Sequence, residues 1–119
     1  MGEIEPISVM RMPATSAAGA PPARVTFDRR ELDRILDLYG RMVALGEWRD
    51  YAIDFTRDRA VFAIFKRAMD TPLFRIEKDP RLARRQGAYS VVSQTGLVLK
   101  RGRELPQVLA VLEKPLRSV

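Results

Sequence analysis

The chain has 119 residues, 46% of them hydrophobic and 30% charged, with a formal net charge of +6. A domain of this size buries roughly two-thirds of the surface its unfolded chain exposes, enough for one modest core. Cysteine and histidine are both absent, which excludes disulfides, thiolate catalysis and cysteine metal sites and removes the commonest general base and metal ligand.

No apolar run approaches the ~20 residues of a membrane span. Glu3 and Glu5 stand where a secretion signal would carry positive charge. The expectation is a cytoplasmic protein with no membrane partner. The charge is unevenly spread: residues 28–56 sum to −2 and residues 57–103 to +8. Such a surplus either meets an anionic partner or serves as solvated, solubilising surface.

Residues 1–24 hold four of the eight prolines (Pro6, Pro13, Pro21, Pro22) and the small-residue run Ala14 to Ala20. This is the composition of a disordered tail. Its one sticky cluster, Ile4, Ile7, Val9, Met10 and Met12, is either a docking segment or a loose terminus. Residues 25–119 then form a single domain.

Asp28 is placed to cap a first helix, with Glu31 as its capping-box partner and Phe27 stapling onto Leu32. Leu32, Ile35, Leu36, Tyr39, Met42 and Val43 recur at three- and four-residue steps and define its apolar stripe. Arg30, Asp33, Arg34, Asp37 and Arg41 occupy the outer face at spacings that can pair. Gly46 supplies a left-handed stop. Trp48 follows, either as a plug for the end of the core or as a stacking platform.

Tyr51 to Lys66 reads as a hairpin, with Tyr51, Ile53 and Phe55 alternating with Ala52, Asp54 and Thr56. If Arg57 and Asp58 sit at the turn, Phe55 faces Ala60, Ile53 faces Phe62 and Tyr51 faces Ile64, all on one side. A three-residue loop would flip one strand over. Leu73 to Glu77 is a third strand with Phe74 and Ile76 inward. Asp79 and Pro80 open one or two helical turns over Arg81 to Gln86, stopped by Gly87. Ala88 to Ser93 and Leu97 to Arg101 are the fourth and fifth strands, joined through Gln94, Thr95 and Gly96. Leu105, Val108, Leu109 and Leu112 form the stripe of a last helix, with Pro106 near its start and Pro115 closing it.

Short links make most neighbouring strands antiparallel. The expected fold is α+β, an antiparallel sheet of about five short strands with an N-terminal and a C-terminal helix on the Tyr51, Ile53, Phe62 and Ile64 face. The opposite face would carry Asp54, Val61, Ala63, Phe65 and Arg75, with Lys100 as a further candidate. That face is either exposed or shared with a second copy.

Without His or Cys, acid–base work falls to Asp, Glu, Lys or Tyr. Asp33 and Asp37 lie one helical turn apart, but Arg29, Arg30, Arg34 and Arg41 flank them, and charge pairing accounts for them without a cation. Asp54 is accounted for by Arg75 or Lys100 across the sheet. Ser90 and Ser93 have no candidate base nearby, and no phosphate-binding glycine loop is present. The reading is non-catalytic, with no cofactor and no metal.

Two basic clusters stand out. Arg81, Arg84 and Arg85 lie in the short segment ending at Gly87. Lys100, Arg101 and Arg103 surround Gly102 just ahead of the last helix. Arginines suit bidentate contacts to phosphate or carboxylate. A helix N-terminus with free N–H groups beside cations favours anions, although Glu104 weakens the field there. If both clusters fall on one edge of the sheet, these six residues form an anion-binding patch for RNA, DNA or an acidic protein surface. Tyr89 and Phe65 are the only candidates for the exposed aromatics of a single-strand binder, and no helix-turn-helix, zinc-finger or RNA-recognition signature occurs. A second reading is a protein-interaction or regulatory subunit, self-associating or partner-bound through the second sheet face, an edge strand or the Ile4–Met12 segment. A third, a carboxylate-dependent enzyme, requires two acids converging in a pocket.

The runs RVTFDRRELDRILDLYGRMVALGEWRDYAIDF, DRAVFAIFKRA, PLFRIEKDP, RLARRQGAYSVVSQTGLVLKRG and ELPQVL together resemble a small alphaproteobacterial family of domains of unknown function. The resemblance extends from about Arg24 to Pro115 and leaves out the tail. It implies a small bacterial protein with a single domain, and it carries over no catalytic or binding residue.

Overall fold

The computed structural model describes residues 23–66 and 71–113. The expectations for residues 1–22, the Ile4–Met12 segment among them, and for Pro115 lie outside the described residues. The elements in chain order are helix α1 (Arg29–Ala44), strands β1 (Asp50–Phe55), β2 (Ala60–Phe65) and β3 (Phe74–Lys78), a 3-10 turn (Pro80–Leu82), strands β4 (Tyr89–Ser93) and β5 (Val98–Gly102), and helix α2 (Leu105–Glu113). The fold is α+β, as the sequence pattern implies.

The sheet is an uninterrupted meander, β1-β2-β3-β4-β5, with every pair antiparallel. The hairpin register is the one its parity demands: Phe55 opposite Ala60, Ile53 opposite Phe62, Tyr51 opposite Ile64. Thr56 and Arg59 close the loop, with the Thr56 N–H donating to the Arg59 carbonyl at 2.9 Å. The Thr56 hydroxyl oxygen accepts from the N–H groups of Asp58 and Arg59. Phe62, Ile76 and Val91 stand side by side across three strands and are fully buried. Burial of each such side chain contributes about 1.5–3 kcal/mol, so this row is the axis of the core.

The two helices divide the covered face. Over β1 and β2, Tyr39 of α1 meets Tyr51 and Phe62 edge-on at ring distances of 5.0 and 6.1 Å. Phe27, just before the cap, meets Phe55 in the same way at 6.3 Å. Helix α2 lies against β4 and β5 and touches α1. This second contact widens the buried arc of α1. Leu38, outside the expected stripe, is buried together with Ile35, and Val43 at the rim keeps 40% of its surface exposed. Gly46 ends the helix at φ 79°. Trp48 is buried beside Tyr39 and Phe74, which settles it as a plug for the core.

One carboxylate ties α1 to the sheet. The capping box is complete: Glu31 N–H donates to Asp28 Oδ1, and Asp28 N–H donates to Glu31 Oε1, both at 2.8 Å. The same Glu31 side chain also receives Lys78 Nζ of β3 at 2.7 Å and the hydroxyl of Tyr89 of β4. Lys78 Nζ donates in addition to the Thr26 carbonyl at 2.9 Å.

The opposite face differs from expectation in two places. Arg75 pairs with Glu77 at 3.0 Å, and Arg59 reaches the same carboxylate at 3.2 Å, so Arg75 is not the partner of Asp54. Lys100 lies opposite Val91, on the helix-bearing side. The cause is a bulge. Val92 pairs with Val98 while Val91 pairs with Lys100, leaving Leu99 as an extra residue. An unbulged strand would set Lys100 against Ser90 on the open face; one inserted residue exchanges the two sides. Arg101 takes that place opposite Ser90.

Burial raises the Tyr89 pKa above its ordinary 10.0, and the hydrogen bond to Glu31 raises it further. A group that ionises less readily in the folded state stabilises the fold below its unfolded pKa and ceases to do so as pH climbs through the folded one. We therefore expect stability, measured by denaturant unfolding, to decline from about pH 10 upward. Tyr89→Phe should lessen that decline. Tyr39, raised by burial and then by Asp50, should sustain part of it in the variant.

Candidate anion-binding corner

Tyr89 of β4 stands opposite Gly102 of β5, so β4 begins where β5 ends. The turn that leads into β4 and the helix that leaves β5 share this corner. The turn is short because its hydrogen bonds converge. Leu82 N–H donates to the Asp79 carbonyl and Ala83 N–H to the Pro80 carbonyl, then the N–H groups of Arg85, Gln86 and Gly87 all aim at the Leu82 carbonyl. Winding cannot continue from there, and Gly87 leaves at φ 101°.

Gly87 is held against β5. A Cβ on it would overlap the Gly102 carbonyl group and come within 2.7 Å of the Arg103 nitrogen. Arg103 completes the junction: its Nε donates to the Ala83 carbonyl at 3.2 Å and its Nη2 to the Arg84 carbonyl at 2.9 Å. Two clusters some fifteen residues apart in sequence are thereby joined at one end of the sheet.

The six sequence-selected cations do not share one role. Arg81 is internally neutralised, with its Nε and Nη2 each 3.0 Å from an oxygen of Asp79 and Asp58 a further 3.8 Å neighbour. The hydrogen bond from Arg81 holds the Asp79 carboxyl below its ordinary range. Arg103 is a strut for the turn. Among the described residues, Arg84, Arg85, Lys100 and Arg101 have no carboxylate within ion-pair reach. Arg84, Arg85 and Lys100 are exposed and Arg101 is half-buried. Lys100 and Arg101 project to opposite sides of β5, which is an edge strand.

The N-terminus of α2 contributes less than its position suggests. Pro106 has no N–H, and the N–H groups of Gln107 and Val108 are taken up by the Glu104 carbonyl. The cleft of about 300 Å³ between the starts of the two helices is lined by Arg30, Arg34 and Arg103 but equally by Asp28, Glu31 and Glu104. Matched charges do not select an anion. A groove between α1 and α2 holds Asp33, Asp37 and Glu113; Arg41 pairs with Asp37 at 3.5 Å and with Glu113 at 3.7 Å. No cluster of acids among the described residues is arranged to hold a metal ion.

Residues 25–109 match the family described as "Protein of unknown function (DUF2794)". The chain belongs to that family. The DUF2794 match takes in α1, all five strands and the start of α2, so the whole corner lies inside it. No curated protein and no solved structure matches the chain. Among the described residues no helix is long and apolar enough to cross a membrane.

Sequence reasoning selected the cations of the corner but missed what joins them. The available signal was a pair of glycines, each beside a basic cluster. Gly96, by contrast, turns at φ 95° with nothing within 4 Å of a Cβ. Gly96→Ala should therefore cost only the left-handed penalty, about 1–2 kcal/mol. Gly87→Ala must also push β5 away and should cost more than about 3 kcal/mol. Paired urea melts of the two variants check the difference.

Proposed function

We propose that this domain is a non-catalytic, cytoplasmic bacterial binding module that grips an anionic polymer, nucleic acid, through Arg84, Arg85, Lys100 and Arg101. The observation that carries the reading is the Arg103 bridge to the Ala83 and Arg84 carbonyls, which gathers at one corner cations that have no carboxylate partner among the described residues. Their number sets the salt response. Each phosphate neutralised releases condensed counterions, so four contacts on a single strand give a log–log slope of about −3.

A second reading has its own observation. Leu97, Val98 and Leu99 are 63%, 42% and 38% exposed, three consecutive apolar residues at and just before an edge strand. An exposed apolar edge suits strand addition by a protein partner or a second copy. The Leu99 bulge and Lys100 work against it, since both blunt an edge.

Charge reversal separates the two. Arg84→Glu with Arg101→Glu should weaken nucleic-acid binding by roughly tenfold or more at low salt and flatten the salt slope, read by fluorescence anisotropy. Arg81→Ala should leave affinity within about twofold, because that guanidinium already serves Asp79. A flat salt response, or unchanged affinity in the double variant, would reject the nucleic-acid reading. A mass that rises with concentration in sedimentation would then favour association through β5.

A further inference from the structure

We infer that the ligand of this corner is the phosphate backbone of duplex nucleic acid, held by charge on both sides of the β5 edge without any reading of bases. The inference rests on the binding reading above and narrows it to one class of ligand.

The first observation is where the rings are. The chain has nine aromatic residues, and all of them lie among the described residues. Phe27, Trp48 and Phe62 are buried. Phe55, Phe74 and Tyr39 pack against those three. Tyr51 stacks on Phe62 at 4.8 Å and belongs to β1, the far edge of the sheet. Phe65 pairs with Asp50 at the end of the sheet away from Gly102 and three strands from Arg101. Tyr89 is at the corner, but it faces the helices and its hydroxyl is bound to Glu31. The two rings the sequence offered as exposed aromatics for a single strand, Phe65 and Tyr89, are thus one distant and one fastened inward. Proteins that hold single strands without sequence preference combine a basic groove with rings on which bases stack. This corner has the charge and lacks the rings.

The second observation is the direction of the charges. Successive residues of a strand point to opposite sides, and the bulge at Leu99 decides the assignment: Lys100 takes the helix-bearing side of β5 and Arg101 the open side. A duplex groove is walled by a row of phosphates on each side. A strand edge entering it with one cation facing each wall uses both rows, with Arg84 and Arg85 beside the end of the strand. A lone strand offers a single row and about half the charge per length. The rule for Lys on an edge strand, protection against unwanted pairing, explains a cation at this place but not the opposed pair.

The test uses the full chain and anisotropy at one fixed salt concentration. The probes are labelled duplexes of two unrelated sequences and the matching single strands, with inorganic polyphosphate as competitor. We expect the duplexes to bind about tenfold tighter than either single strand and to agree with each other within about twofold, and polyphosphate to compete. Lys100→Ala should lower duplex affinity several-fold and single-strand affinity by a clearly smaller factor. Single strands binding as tightly as duplexes, duplexes differing by more than about tenfold, failed competition, or equal losses for Lys100→Ala on both probes would each overturn the inference while leaving nucleic-acid binding in place. Binding to none of the probes would overturn the binding reading itself.

Discussion

The Glu31 carboxylate is the point on which this architecture turns. It closes the capping box of α1 and receives Lys78 from β3 and Tyr89 from β4, so one side chain sets both where the helix begins and where it lies. The pair is well shielded, with the Lys78 and Glu31 side chains 18% and 12% exposed. An exposed ion pair contributes about 0–1 kcal/mol. Removing one partner of a shielded pair costs more, because the other charge is left in a poorly solvated place. With the start of α1 anchored over β3 and β4, its apolar stripe runs back so that Tyr39 packs on Tyr51 of β1 and Phe62 of β2, and α2 is left to cover β4 and β5.

That division creates the corner. Helix α2 must leave β5 at Gly102, beside the turn that enters β4, and two backbones can approach that closely only where no side chain intervenes. Gly87 meets this need on one side. On the other, Gly102 sits with Val108 of α2 3.3 Å from where its Cβ would be. Arg103 then satisfies two carbonyls of the turn that its tight winding leaves free. The closeness of this junction bears on the proposed binding. Cations held on a fixed backbone lose less entropy on meeting a phosphate than cations on a mobile loop.

What could be read from the chain was what is local. The Asp28 and Glu31 box, the hairpin parity from Tyr51 to Ile64 and the stop at Gly46 each depend on residues within one turn or one loop, and each stands where the spacing put it. The misplaced residues depend on distant partners. Lys100 changed faces because of a bulge at Leu99, and nothing in Val98, Leu99 and Lys100 distinguishes a bulged strand from a regular one. Leu38 is buried because α2 arrives against it, which periodicity against a single sheet does not anticipate. Glu31 showed its capping role through its distance from Asp28, but its bonds to Lys78 and Tyr89 cross 47 and 58 residues.

The charge surplus shows why position in space, and not along the chain, identifies a site. By sequence, residues 57–103 carry the whole excess. Folding redistributes it. Lys78 meets Glu31, an acid from the preceding segment; Arg59 and Arg75 share Glu77; Arg81 takes Asp79 and Asp58. These cations lie on β3, the hairpin loop and the 3-10 turn, and their fields are largely cancelled within a few ångströms, well inside the ~8 Å screening length of physiological salt. Among the described residues Arg84, Arg85, Lys100 and Arg101 are not cancelled in this way, and they adjoin the junction where the turn and β5 meet. A potential that reaches beyond the surface needs unpaired charges placed close together. The potential of this corner therefore depends on where carboxylates have been placed elsewhere in the fold as much as on the arginines themselves.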